Sequence, residues 1–318
     1  MNAMRVVVVG AGAIGGYIAA SLARAGTDVA VIARGAHLEA IRRSGITVVA
    51  SDLGAFSAPV EASDDLRALE AFDLALLTFK AHQWPALIPQ LRAASQAGTT
   101  VVTLQNGVPF WFRRRPALQT VDPNGTIAAL FPDERVIGGV VHVSGHIVEP
   151  GKLRQSGGGR LVLHALHPAA QERLAWLDAA MRTAGLQPEL EANIRRFVWL
   201  KLVNNAGLNP VSTVHRMTIH EMLTDPVARG EVRELMHETV AVGRALGVVD
   251  DVDLDARLDY AMRLTDVQTS MLQDSLSHRP LELDPIVGAV IELGDGLGVP
   301  VPRLRAIYDA LRAQTAAP

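Results

Sequence analysis

The sequence predicts an α/β protein in two parts: an N-terminal Rossmann-type doubly wound sheet over residues 1–187 and an all-helical C-terminal domain over residues 188–318. Three observations predict it. Short, almost continuously apolar runs rich in β-branched residues alternate with amphipathic stretches from Arg5 to Leu104. A glycine cluster, Gly10-Ala11-Gly12-Ala13-Ile14-Gly15, directly follows the first run, and strand-like runs almost vanish after Gly185-Leu186-Gln187-Pro188. Apolar strands alternating with helices imply a parallel sheet covered on both faces, with ligands at the carboxyl ends of its strands.

The expected strands are Val6–Val9, Val29–Ala33, Ile46–Val49, Leu74–Phe79 and Thr100–Leu104, and the segments Ala13–Ala25, His37–Ser44 and His82–Ala94 have helical spacing. Between Val136 and Leu163, strand signals broken by Gly145, Pro150-Gly151 and Gly157-Gly158-Gly159 predict hairpins appended to the sheet. A helix is expected from about Pro168 to Thr183. From Glu189 to Leu311 the spacing is helical throughout, punctuated by Pro210, Pro226, Gly247, Pro280 and Pro300.

A chain of 318 residues, 49% hydrophobic and 20% charged, has room for two domains. Its formal net charge of −3 favours neither nucleic acid nor an anionic membrane as partner, which leaves a small molecule. The sequence contains no cysteine, which excludes a disulfide framework, a thiolate metal site and a cysteine nucleophile, and a cytoplasmic location is expected. The uncharged run Val6–Ala23 behind Arg5 imitates a signal segment, but its valines and four glycines read as a buried strand entering a turn. His142 and His146 are close in sequence and lack a nearby third ligand, so no metal site is expected.

Gly10–Gly15 stands where a dinucleotide fingerprint requires it, after a buried strand and at the opening of a helix. Gly10 permits the tight turn, Gly12 lets a pyrophosphate approach the backbone beside Ala13 and Ile14, and Gly15 lets helix and strand pack closely. The second strand ends at Ala33-Arg34, and no acid stands from Val29 to Arg34. A guanidinium there suits a ribose 2′-phosphate, so NADPH is preferred over NADH. Lys80 and Asn106 also follow strands on the ligand side. In the C-terminal half, Lys201, Asn205 and Asn209 recur every fourth residue and share one helical face.

These residues, together with Phe79-Lys80-Ala81, Gln105-Asn106-Gly107, Trp199-Leu200-Lys201, Asn209-Pro210, Ser270-Met271-Leu272-Gln273-Asp274, Glu282 and Gly298-Val299-Pro300, fall in an order and spacing that resembles the ketopantoate reductase (2-dehydropantoate 2-reductase) family over nearly the whole chain. The resemblance implies a helical domain of the 6-phosphogluconate dehydrogenase C-terminal type and reduction of a 2-keto acid by NADPH. It implies that Lys201 is the general acid and that Asn205 and Asn209 orient substrate and cofactor. It further implies that Ser270 and Asn106 hold the substrate carboxylate, that Glu282 bonds the substrate hydroxyl near Lys201, and that Lys80 and Asn106 contact the cofactor. Physical chemistry agrees with this division. An ammonium stabilises a developing alkoxide before and during proton transfer. Burial alone would discharge it, so a carboxylate such as Glu282 is needed nearby.

After Asn106-Gly107 the chain runs through Val108-Pro109-Phe110-Trp111-Phe112-Arg113-Arg114-Arg115 and reaches Val136 by a connection that looks about ten residues longer than the family's usual one. Two expectations follow: a lid or reshaped pocket in which the arginines take a larger or dianionic keto acid, or a solvated basic turn beside buried aromatics. Two alternatives to ketopantoate reduction stay open, a hydroxyacid dehydrogenase of the same family with another substrate and an NADP(H)-binding sensor without turnover. A homodimer is also expected as possible, because the C-terminal helices offer apolar faces.

Overall fold

The computed structural model describes residues 4–113, 115–265 and 267–316. They group into two compact units: the chain up to Gln105 together with Ile127–Ile194, and Asn106–Thr126 together with the chain from Arg195 onward. The cut expected after residue 187 falls inside a strand of the first unit, and the connection after Gln105 belongs to the second.

The strands of the first unit are β1 (Val6–Val9), β2 (Val29–Ile32), β3 (Ile46–Ala50), β4 (Gly54–Ala58), β5 (Glu61–Ser63), β6 (Leu74–Leu77), β7 (Thr100–Thr103), β8 (Val136–Glu149), β9 (Lys152–Ala165) and β10 (Gln187–Leu190). They form one sheet in the order β4-β3-β9-β8-β7-β6-β1-β2-β5, with β10 on β9. From β5 through β2, β1, β6 and β7 to β8 every pairing is parallel, and β1, β2, β6 and β7 are buried at every position. That is the doubly wound core predicted from the apolar runs, and it aligns the carboxyl ends of β1, β2, β6 and β7. Its strands are joined by α1 (Ala13–Arg24), α2 (Gly35–Ser44) and α3 (Trp84–Ala94), and α4 (Thr126–Leu130) and α5 (Gln171–Thr183) follow.

The rest of the sheet departs from expectation. β3 forms, but it pairs antiparallel with β4 and parallel with β9, and the place beside β2 goes to the three-residue β5. Gly-Ala-Phe-Ser-Ala and Glu-Ala-Ser carry almost no β-branched or alternating signal, and both strands are largely exposed edges. The expected hairpins are one long antiparallel pair, β8 and β9, with register irregularities at His142/Val143, Ser144/Gly145 and Ile147/Glu149. β10 carries Pro188 on the sheet's periphery, where a strand needs fewer amide donors.

In the second unit, α6 (Ile194–His215), α7 (Ile219–Thr224), α8 (Pro226–Ala245), α9 (Leu254–Ala261), α10 (Ser270–Leu276), α11 (Ala289–Leu297) and α12 (Pro302–Ala316) follow in order. Pro210 lies inside α6 and does not end it; the helix runs on at the cost of one amide donor. Trp199 is fully buried on α6 and its indole N–H donates to the Thr239 carbonyl of α8 at 3.0 Å. Among the described residues no helix is long and apolar enough to cross a membrane.

Candidate active site

In the first unit, the turn after β1 is shaped from three sides. Gly10 sits at φ +107°, where an added Cβ would lie 2.8 Å from the Phe79 backbone nitrogen, and a Cβ on Gly15 would lie 2.2 Å from the Gly10 carbonyl. Around Gly12, by contrast, an added Cβ meets nothing within 4 Å, and no side chain caps the N-terminus of α1. An open space in front of uncapped amides at Ala13 and Ile14 fits a pyrophosphate. Arg34 caps nothing, is exposed, and is free of side-chain bonds among the described residues. It stands just beyond the end of β2. Lys80 is half-buried just beyond β6. Replacing Arg34 by alanine should raise the Kd for NADPH about tenfold or more and leave that for NADH within about twofold, measured by fluorescence titration.

Two residues without a recognisable sequence signal complete this turn. The Thr78 hydroxyl donates to the carbonyls of Gly10 at 2.8 Å and Val9 at 3.1 Å. The His37 ring bridges the Gly151 N–H, 3.0 Å from Nδ1, and the Ala11 carbonyl, 2.8 Å from Nε2. A backbone N–H can only donate, so Nδ1 bears the lone pair and Nε2 carries the hydrogen that Ala11 accepts. His37 thus bolts the glycine turn to the β8–β9 turn. His37→Ala should raise the NADPH Kd about five- to tenfold through loss of this support, read by the same titration.

In the second unit, Lys201 on α6, Asn106 and Glu282 form a connected group. The ammonium donates to Asn106 Oδ1 at 2.8 Å, and Asn106 Nδ2 donates to Glu282 Oε2 at 3.4 Å. Glu282 is buried, 7% exposed. Burial pushes the Lys201 ammonium down to about 8, and the Glu282 carboxylate opposes that fall. The Asn106 side chain therefore bridges the two charged groups, its carbonyl oxygen on the ammonium and its amide on the carboxylate. Asn205 and Asn209 follow Lys201 along α6, and neither carboxamide is hydrogen-bonded to a described residue. Ser270 opens α10, is exposed, and has no bond to this group.

The connection after Asn106 is fastened along its length. The Glu292 carboxylate on α11 accepts from the amides of Gln119 at 2.7 Å and Thr120 at 2.9 Å and from the Thr120 hydroxyl at 2.7 Å. Phe110, Trp111 and Phe112 are buried, and Phe112 stacks on Trp199 with centroids 5.6 Å apart. Arg113 lies against α11 near Gly296, Arg115 is exposed, and Arg114 lies outside the described residues. Along its described residues the connection is anchored to α11 and to buried aromatics. Among the described residues no group of three or more metal-ligating side chains occurs.

Comparison with known proteins points the same way. The family description "Ketopantoate reductase PanE/ApbA" matches residues 6–168, and its "C terminal" counterpart matches residues 193–315. A 2-dehydropantoate 2-reductase of Mesorhizobium japonicum is 38% identical over 317 residues, 97% of either chain. One from Nostoc is 28% identical over 98% of this chain and 95% of that one. The crystal structure of 2-dehydropantoate 2-reductase from Geobacter metallireducens superposes with a TM-score of 0.88 at 29% identity, covering 98% of this chain and 100% of that one. A glycine turn followed by Arg34, and a buried lysine held by an asparagine and a glutamate on the second unit, are thus set in a chain matched from end to end, and the protein belongs to the ketopantoate reductase PanE/ApbA family.

Proposed function

We propose that this chain reduces 2-dehydropantoate (ketopantoate) to pantoate with NADPH, a step towards pantothenate and coenzyme A. The observation that carries the reading is the Lys201 ammonium, desolvated, bonded to Asn106 and supported by buried Glu282. When bound, NADPH supplies the hydride that adds to C2 of the keto acid. Lys201 gives its Nζ proton to the carbonyl oxygen, so that the alkoxide never accumulates, and leaves as the neutral amine. Asn106 aims that proton and Glu282 keeps the ammonium charged. Asn205 and Asn209 orient the substrate and cofactor polar groups from the same helix face, and Ser270 and the Asn106 amide hold the substrate carboxylate. Glycines 10, 12 and 15, the amides of Ala13 and Ile14, Arg34 and Lys80 bind the cofactor.

The test is NADPH oxidation at 340 nm with ketopantoate beside a panel of other 2-keto acids. A kcat/KM of about 10⁴ M⁻¹s⁻¹ or more for ketopantoate, well above the panel, is the expected result. Preference for another acid would keep the chemistry and move the substrate; tight NADPH binding without turnover on any acid would favour a sensor. A homodimer is part of the proposal, supported by exposed apolar side chains of the second unit such as Tyr260, Leu264, Val267 and Leu276. Sedimentation at the 34.0 kDa mass of one chain would overturn it.

A further inference from the structure

Glu282 is followed by an unusual piece of backbone. Residues Asp284–Gly288 form a π-helical turn, with the Ala289 N–H bonded to the Asp284 carbonyl five residues back, before α11 begins. Such widened turns are rare, and they shift the carbonyls that precede them relative to an ordinary α-helix. Here the shifted backbone meets the segment that carries Asn106. The Val108 N–H donates to the Pro285 carbonyl at 2.8 Å. Gly107, at φ +81°, lies so close that an added Cβ would stand 2.5 Å from the Pro285 oxygen. Asn106 and Glu282, both facing Lys201, are thereby tied together through their own chain neighbours, Asn106 through Gly107 and Val108, Glu282 through Pro285.

The widened turn is held from outside by α12. The Tyr308 hydroxyl donates to Asp284 Oδ1 at 2.6 Å, and the ring lies over Gly288, where an added Cβ would be 3.1 Å from Cε2. Arg312 stands 3.9 Å from the same carboxylate oxygen and 5.8 Å from the tyrosine ring centroid. Burial and the neighbouring carboxylate push the phenol up to about 12, so it stays a donor across the working pH range.

We infer that Tyr308 and Asp284 are positioning residues for the proton donor: they fix the π-helical turn so that Asn106 and Glu282 address Lys201 together. Neither touches the reacting atoms, and the inference rests on Lys201 being the general acid. If the turn relaxes towards α-helical geometry, Pro285 and Val108 part, Asn106 and Glu282 move independently, and the ammonium loses directional support.

The test compares Tyr308→Phe, which keeps the ring over Gly288, and Asp284→Asn with the unaltered enzyme, with Glu134→Gln on an exposed site as control. Two readouts are taken: kcat and KM against pH, and the titration of Lys201 itself by NMR of ¹³C-lysine-labelled protein without ligands. Expected are a fall in kcat of about tenfold with the KM for NADPH unchanged, and a Lys201 titration moved to lower pH by about 0.5 in both variants. Titration curves that superimpose on the unaltered protein, with only Tm reduced, would overturn the inference. Failure of the functional reading shows separately, as absence of NADPH oxidation with keto acids in the unaltered enzyme, while the titration still decides whether the turn positions the lysine.

Discussion

Replacing Lys201 by alanine is expected to lower kcat for ketopantoate reduction by about two to four orders of magnitude while leaving NADPH affinity close to its original value. The lysine belongs to the helical unit, whereas the glycine turn and Arg34 belong to the other. The substitution therefore removes the proton source without touching the groups assigned to the cofactor. It also removes the ammonium that the buried Glu282 carboxylate faces. Tm measured alongside separates lost chemistry from lost structure. The pH profile gives a sharper reading. Below about 8 the ammonium is present and can act as acid; as pH rises through about 8 it is lost. The reductive kcat should therefore fall tenfold per pH unit above that value. Oxidation of pantoate, which needs the free amine as base, should rise over the same interval. Lys201→Ala should abolish both limbs. Activity within about threefold of the original, or an unmoved limb near pH 8 in the variant, would remove Lys201 from the chemistry.

What could be read from the residues, and what could not, follows from how each feature is encoded. β1, β2, β6 and β7 are buried on both faces and announce themselves as apolar runs, so their existence and the ligand side of the sheet were legible within a residue or two at each end. β4, β5 and β10 were not, because an exposed edge strand is stabilised by pairing rather than by its own composition. Pro210 suggested a break that packing overrides. In the site, Lys201, Asn205 and Asn209 share a helical period and could be placed on one face before any coordinates. That Asn106 and Glu282, 176 residues apart, meet each other is a property of the tertiary fold, and family resemblance rather than spacing brought them into the expectation. His37 and Thr78 escaped because each acts on a backbone carbonyl, and a histidine or threonine near a strand end has no pattern that distinguishes such a role. The π-helical turn escaped for the same reason: Asp284-Pro285 marks a helix start in sequence, and its widened hydrogen bonding depends on Val108 and Tyr308 from distant segments.

Gly12→Val is expected to raise the Kd for NADPH at least about a hundredfold, about 2.7 kcal/mol, while the ligand-free protein loses only about 1 kcal/mol of stability. The contrast between glycines gives this prediction its force. Gly12 has φ −66° and ψ −168°, an extended conformation open to any residue, and nothing lies within 4 Å of the position a Cβ would take. A Cβ there strains no backbone and meets no neighbour within 4 Å, so the expected cost in the free protein is that of a poor N-cap residue. A branched side chain there fills the open space in front of the uncapped amides of α1, where an anion would approach. At Gly15 the balance is reversed, since even an alanine Cβ would stand 2.2 Å from the Gly10 carbonyl and 2.3 Å from the Thr78 hydroxyl. Gly15→Ala should therefore lower Tm and weaken NADPH together, because the turn itself must shift. Fluorescence titration with NADPH and thermal unfolding without it, run on both variants, read the two effects apart. NADPH binding to Gly12→Val within about threefold of the original would place the pyrophosphate elsewhere and withdraw the cofactor assignment from this turn.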